Sequence, residues 1–227
     1  MKEKGLSQET LKIIACITML IDHIGSVFVS GYTLRVIGRI AFPIYCFLMA
    51  EGTYYTKNPK KYAFRLLIGM LLSEIPFDLA LRGRFTLGSQ SVMVTLLLGF
   101  LAVEAAQTDW CGVLKFICVG GCCAAAELAH TDYGGKGVLL IVLLSQCRGK
   151  WWLQTLCVLI FAQLCNSASI PVFGKKIPIE MFAVFAMLPI GLYSGRKSTS
   201  SVWVQRAFYL FYPVHLAVLA VLRFTLK

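Results

Sequence analysis

The stretch Leu11–Gly25, LKIIACITMLIDHIG, decides how this chain folds. It reads as a nearly unbroken apolar helix, with Lys12 close to its start and the adjacent pair Asp22–His23 close to its end. An aspartate at the centre of a membrane helix costs about 2.5–3.5 kcal/mol on insertion scales, so it turns toward protein or a water-filled cavity rather than lipid. The expectation is a bundle whose other helices wall a polar cavity around Asp22 and His23.

The rest of the chain agrees. Its 227 residues are 58% hydrophobic and 15% charged, with a mean hydropathy of +0.73; a soluble domain carries about 25% charged residues. Apolar runs over 11–30, 34–55, 62–81, 91–108, 112–130, 135–148, 151–168, 177–194 and 205–225 approach the roughly 20 residues that a span requires. The prediction is an all-α, polytopic transmembrane bundle of about nine spans. The run 135–148 would reach only about 21 Å, so it is expected to be short, re-entrant, or extended by the Gly134–Gly135 turn. Short connections leave no room for a second domain, and residues 1–227 read as one. The polar start offers Ser7 or Thr10 as a helix cap. The charged interior of the first segment and its lack of an A-x-A site argue against a cleaved signal.

The net charge of +11 does not point to nucleic acid. The basic residues stand singly or in short clusters between apolar runs, as topology signals do, and no basic groove with interleaved aromatics occurs. With the N-terminus inside, thirteen Lys and Arg fall at inner ends (Lys2, Lys4, Lys12, Lys57, Lys60, Lys61, Arg65, Lys115, Arg148, Lys150, Arg196, Lys197, Arg206) against eight at outer ends, among them Lys227. That bias predicts a multi-pass protein of the inner membrane with a cytoplasmic N-terminus. Of the nine cysteines, Cys16, Cys46, Cys118, Cys157 and Cys165 lie within apolar runs and no CxxC occurs, so they read as small hydrophobes.

With this topology the polar residues gather toward the outer half: Asp22, His23, Arg35, Arg39, Glu74, Asp78, Glu127, His130, Asp132, Asn166 and Glu180. Arg35 and Arg39 share a helix face, as do Glu74 and Asp78. Two arginines opposite two carboxylates would form a neutral network, and Glu74 or Asp78 is the expected partner that orients His23. Asp22 and His23 point about 100° apart, as neighbours on a helix do, and do not make a dyad together. On the last helix His215 follows Pro213 by two residues and shares two turns with Tyr209 and Tyr212, which marks a cavity lining. At the inner ends Lys57, Lys60, Lys61 and Arg65 crowd one loop, a pattern able to receive a phosphorylated ligand.

Several strings taken together are similar to the TraX family, named for a conjugation protein that acetylates the pilin N-terminus. They are LKIIACITMLIDHIG, LRVIGRIAFPIYCFLMAEG, KKYAFRLLIGMLLSEIPFDLA, TDYGGKGVLLIVLL and FYLFYPVHL; they run in order from the first helix to the last, with residues 100–128 the least similar. That family in turn resembles the membrane acyltransferases of type 3, whose mark is a basic residue, ten residues, then His on the first helix. Lys12 and His23 have that spacing, with Lys in place of the usual Arg.

The resemblance implies transfer of an acetyl group from cytoplasmic acetyl-CoA to a small molecule, glycan or peptide amine at or beyond the membrane. In that picture His23 is the general base or a transient acyl carrier, with Asp22 beside it, and Glu74 or Asp78 sets its tautomer. Arg35 and Arg39 stabilise the oxyanion or hold pantetheine and phosphates. Lys12, Arg65, Tyr212 and His215 complete the acetyl-CoA site, and no metal is expected. The competing class is a proton-coupled transporter, since intramembrane Asp, Glu and His also form proton relays. A metal-dependent hydrolase built on Glu127 and His130 lacks any HExxH.

Overall fold

A computed structural model describes residues 5–29, 31–86, 88–165, 168–172, 175–195 and 202–226. Lys2, Lys4, Asn166, Arg196, Lys197 and Lys227, used above, lie outside them. The Ser7 hydroxyl accepts from the Thr10 amide at 3.2 Å and starts α1 (Gln8–Phe28). Next come α2 (Thr33–Gly38) and α3 (Ala41–Tyr55). Asn58 accepts from the Lys61 amide at 3.0 Å and Pro59 opens α4 (Pro59–Arg82), where a missing amide proton costs nothing. Gly83 ends that helix at φ 73°, a conformation few other residues accept.

Then follow α5 (Val92–Gln107), α6 (Gly112–Leu128), α7 (Gly134–Gln146) and α8 (Trp151–Leu164). The chain closes with a hairpin of β1 (Ser169–Val172) and β2 (Lys175–Pro178), a 3-10 helix (Ile179–Ala186), α9 (Met187–Gly191) and α10 (Val202–Thr225). By length and composition α1, Thr33–Tyr55 and Trp203–Thr225 each suffice to cross a membrane. Val92–Gln107, Gly134–Gln146, Trp151–Leu164 and Ile179–Gly191 are shorter apolar helices. The protein is a helical membrane bundle, with one hairpin among the described residues, and each expected span has its helical segment.

One expectation is corrected. The hairpin occupies what read as the start of the span 177–194, because Pro171 and Pro178 withhold the amide protons a helix requires. The run 135–148 is short, as expected, and α7 takes in the Gly134–Gly135 pair at its start. It is buried at Gly134, Gly135, Gly137, Val138, Leu140, Ile141, Val142 and Leu144 and packs against α3, α5, α6 and α8.

All four tryptophans, Trp110, Trp151, Trp152 and Trp203, are exposed and stand at helix ends on the face holding the start of α1. Tryptophan concentrates at membrane–water interfaces. On this N-terminal face Arg148 donates to Glu51 at 2.6 and 3.3 Å and lies 3.7 Å above the Tyr54 ring. The hydrogen bond from Glu51 is the largest influence raising the Arg148 guanidinium above its ordinary value, and the Glu51 charge adds to it.

On the opposite face α1 and α2 meet at Gly38, where a Cβ atom would collide with the Asp22 side chain. Gly38→Ala is therefore expected to destabilise the bundle by about 1–3 kcal/mol, as overpacking does. A lowered melting temperature in detergent is the check.

Candidate active site

Three full turns of α1 carry Lys12, Cys16, Met19 and His23 along one stripe, because residues spaced by three and four share a face. Lys12 and His23 are thereby aligned about 16 Å apart along the helix axis. A cavity of about 340 Å³ follows this stripe, lined by Lys12, Cys16 and Met19 from α1, Tyr45 and Met49 from α3, and Arg65 and Leu66 from α4. Val92 and Met93 of α5 and Tyr209 and Tyr212 of α10 line it too.

Its N-terminal mouth carries two cations. Lys12 sits 5.4 Å from the centre of the Phe208 ring, and Arg65 lies 5.5 and 5.6 Å from those of Tyr62 and Tyr209. Among the described residues neither has a carboxylate within ion-pair distance.

His23 and His215 stand just past the deep end and do not line the cavity. Both are buried, and His23 Nδ1 lies 2.7 Å from His215 Nε2 with the rings nearly parallel. The Tyr212 ring meets both edge-on, at 6.2 Å from His23 and 5.6 Å from His215. The His215 Nδ1 lies 2.7 Å from the Phe211 carbonyl oxygen, which can only accept, so that nitrogen carries the proton. In a neutral imidazole the other nitrogen is then an acceptor. His215 Nε2 accepts from His23 Nδ1–H, and among the described residues the lone pair of His23 Nε2 has no donor. The network assigns both tautomers.

This corrects the expected partner of His23: a histidine orients it, not a carboxylate. Glu74 instead accepts from the Ser91 amide at 3.2 Å and the Ser91 hydroxyl at 2.6 Å, capping α5. Asp78 accepts from the Thr86 amide at 2.8 Å and pairs with Arg82 at 3.4 Å. Both shape the α4–α5 connection.

The arginines also find other partners. Arg39 donates to Asp22 at 2.5 Å through Nη2 and to Glu180 at 2.7 Å through Nη1, with Tyr133 Oη at 3.5 Å. Arg35 Nε stands 3.9 Å from Asp22. The network holds two arginines and two carboxylates, as expected, but the carboxylates are Asp22 and Glu180 rather than Glu74 and Asp78. It joins α1, α2, α7 and the 3-10 helix behind His23, on the side away from the cavity. Asp132, not among the expected site residues, is exposed and lies near Arg39, Asp22, Glu180 and Arg35. Only its place after the polar end of α6 hinted at that neighbourhood.

Thus Lys12, Arg65 and Tyr212 line one cavity, His23 and His215 pair beyond it, and Asp22, Arg35 and Arg39 form a separate cluster. Among the described residues the buried Tyr212 hydroxyl has no hydrogen-bond partner.

The family model described as TraX protein matches residues 7–223, a span that includes every residue of this site. A probable fimbrial assembly protein, FimC of serogroup H1, from Dichelobacter nodosus is 30% identical over 232 aligned positions covering 92% of each chain. An uncharacterized protein of Rickettsia prowazekii (strain Madrid E), RP591, is 46% identical over 48 residues, 21% of this chain and 19% of its own. No solved structure matches. A match over nearly the whole length, on a helical membrane bundle with these residues in place, makes this chain a member of the TraX family.

Proposed function

We propose that the protein is an integral membrane acetyltransferase of the inner membrane, with its N-terminus and cavity mouth facing the cytoplasm. It takes acetyl groups from acetyl-CoA and passes them to an amine or hydroxyl acceptor at or across the membrane. The observation that carries this reading is the stripe along α1, which leads from two cations at the cavity mouth to a neutral imidazole with a free lone pair.

The residues suit the donor. Lys12 and Arg65 would hold phosphates, the apolar middle would take the slender acyl-bearing arm, and the unpartnered Tyr212 hydroxyl offers a polar contact where the acyl group would end. When bound, acetyl-CoA supplies an acyl group activated as a thioester. His23 Nε2 then takes the proton of the acceptor N–H or O–H. The bond from His23 Nδ1–H to His215 keeps the lone pair in place and shares the positive charge that results. A positioned base of this kind contributes about 10²–10⁴-fold. The fimbrial name of the Dichelobacter nodosus relative favours a pilin-like peptide amine among the acceptors.

One observation favours a proton-coupled transporter instead: the charged cluster of Asp22, Arg39 and Glu180 continues past His23 to the opposite face. The two readings separate on CoA. A ligand that binds only the folded state stabilises it by about 2.7 kcal/mol at a hundred times its Kd. CoA is thus expected to raise the melting temperature of the purified protein, and Lys12→Ala with Arg65→Ala to remove most of that rise. No thermal shift together with no CoA release from acetyl-CoA would favour the transporter.

A further inference from the structure

Arg39 is committed to Asp22 and Glu180, Arg35 stands 3.9 Å from Asp22, and neither arginine lines the cavity, so the acyl carbonyl needs another donor. Most tyrosines around the cavity are already engaged. Tyr45 is bonded to Cys16 at 3.2 Å, Tyr62 donates to the Met49 sulfur at 3.5 Å, and Tyr55 accepts from Arg148 at 2.8 Å. Tyr209 lies against Tyr62 and below the Arg65 guanidinium.

Tyr212 differs. It is 5% exposed and lines the deep end of the cavity. Its hydroxyl lies toward Ser91 and the Val92 amide but makes no hydrogen bond of good geometry. A buried donor left unpaired is costly, and the natural exception is a donor kept for a ligand or a reacting atom.

We propose that the Tyr212 hydroxyl is the hydrogen-bond donor to the acyl carbonyl oxygen and carries the negative charge that develops there during transfer. The inference rests on the acetyltransferase reading. In the step, the acceptor's lone pair forms the new bond to the carbonyl carbon while the carbonyl π electrons move onto oxygen, facing Tyr212 O–H. The acceptor's proton goes to His23 Nε2. The electrons on oxygen then restore the carbonyl, the carbon–sulfur bond breaks, and His23 returns the proton to the departing sulfur. Tyr212 and His23 thus act on opposite ends of one displacement, which matches the edge-on placement of the Tyr212 ring against the His23–His215 pair.

Tyr212→Phe removes one oxygen and keeps the ring. It is expected to lower kcat by about 10²–10³-fold, as loss of one such donor does, with little change in KM for acetyl-CoA and no loss of thermal stability. A second readout does not depend on turnover. Wild type should bind acetonyl-CoA, which keeps the carbonyl, about fivefold more tightly than S-propyl-CoA, which lacks it. Tyr212→Phe should lose that preference.

Turnover within about threefold of wild type in the variant, or no carbonyl preference in the wild type, overturns the role of Tyr212 and leaves the enzyme class standing. Wild-type protein that releases no CoA from acetyl-CoA with any acceptor overturns the acetyltransferase reading, and this inference with it.

Discussion

His23→Ala is expected to abolish acetyl transfer while the bundle stays folded. The imidazole carries the free lone pair just past the deep end of the cavity, and losing a positioned base costs about 10²–10⁴ in rate. Stability falls only modestly, because the change leaves one buried acceptor, His215 Nε2, without its donor, at about 1–3 kcal/mol. The measurement is CoA release by purified protein in detergent, beside a melting curve with and without CoA. A His23→Ala protein that still turns over acetyl-CoA would remove His23 from the chemistry. Substitutions at His215 refine the point, since that residue positions His23. His215→Gln can still accept from His23 Nδ1–H through its amide oxygen and should retain much more activity than His215→Leu, although both lose the imidazole.

The second large effect is on stability. Arg39→Met removes the guanidinium that joins the half-buried Asp22 and the buried Glu180. Removing one partner of a buried ion pair costs about 3–5 kcal/mol, because the charge left behind has neither water nor a counter-ion. The expected result is a sharp fall in melting temperature, or loss of folded protein on extraction. The triple variant Asp22→Asn, Arg39→Met, Glu180→Gln should recover most of that loss. Arg39→Lys should fall between, since an ammonium keeps the charge but lacks the fork that reaches both carboxylates at once. If Arg39→Met melted like wild type, the network would contribute nothing to holding α1, α2 and the 3-10 helix together.

Composition and apolar run length carried the fold class and the number of helical segments, because the bilayer requires both of any spanning chain. The α1 stripe was equally legible, since Lys12 and His23 lie on one helix and helical geometry fixes their relation. Partners across helices were not. The i,i+4 spacing of Glu74 and Asp78 says that they share a face, but not what the face meets; it meets the α4–α5 connection. Neutralising the buried Arg39 and the half-buried Arg35 with two carboxylates was the right requirement, met by Asp22 and Glu180. The bond from His23 to a residue 192 positions away leaves no local trace. Any neutral acceptor could have filled that role, and the sequence offered carboxylates closer by.

The helices differ in length around the bundle. α1, α4 and α10, of 21, 24 and 24 residues, reach about 32–36 Å, whereas α8, of 14 residues, reaches about 21 Å against a hydrocarbon layer of about 30 Å. The outward side chains of α8, Leu156, Ile160 and Leu164, are exposed. A bilayer bordering α8 would have to thin there. The protein's preference should then follow acyl-chain length: it should partition toward short-chain lipid in a mixed vesicle and tilt in a thick one. On the α8 flank, beside the 3-10 helix that carries Glu180, the two aqueous phases would come closer than along α1, α4 or α10, and membrane thickness itself would become a variable in how far a group must travel from one side to the other.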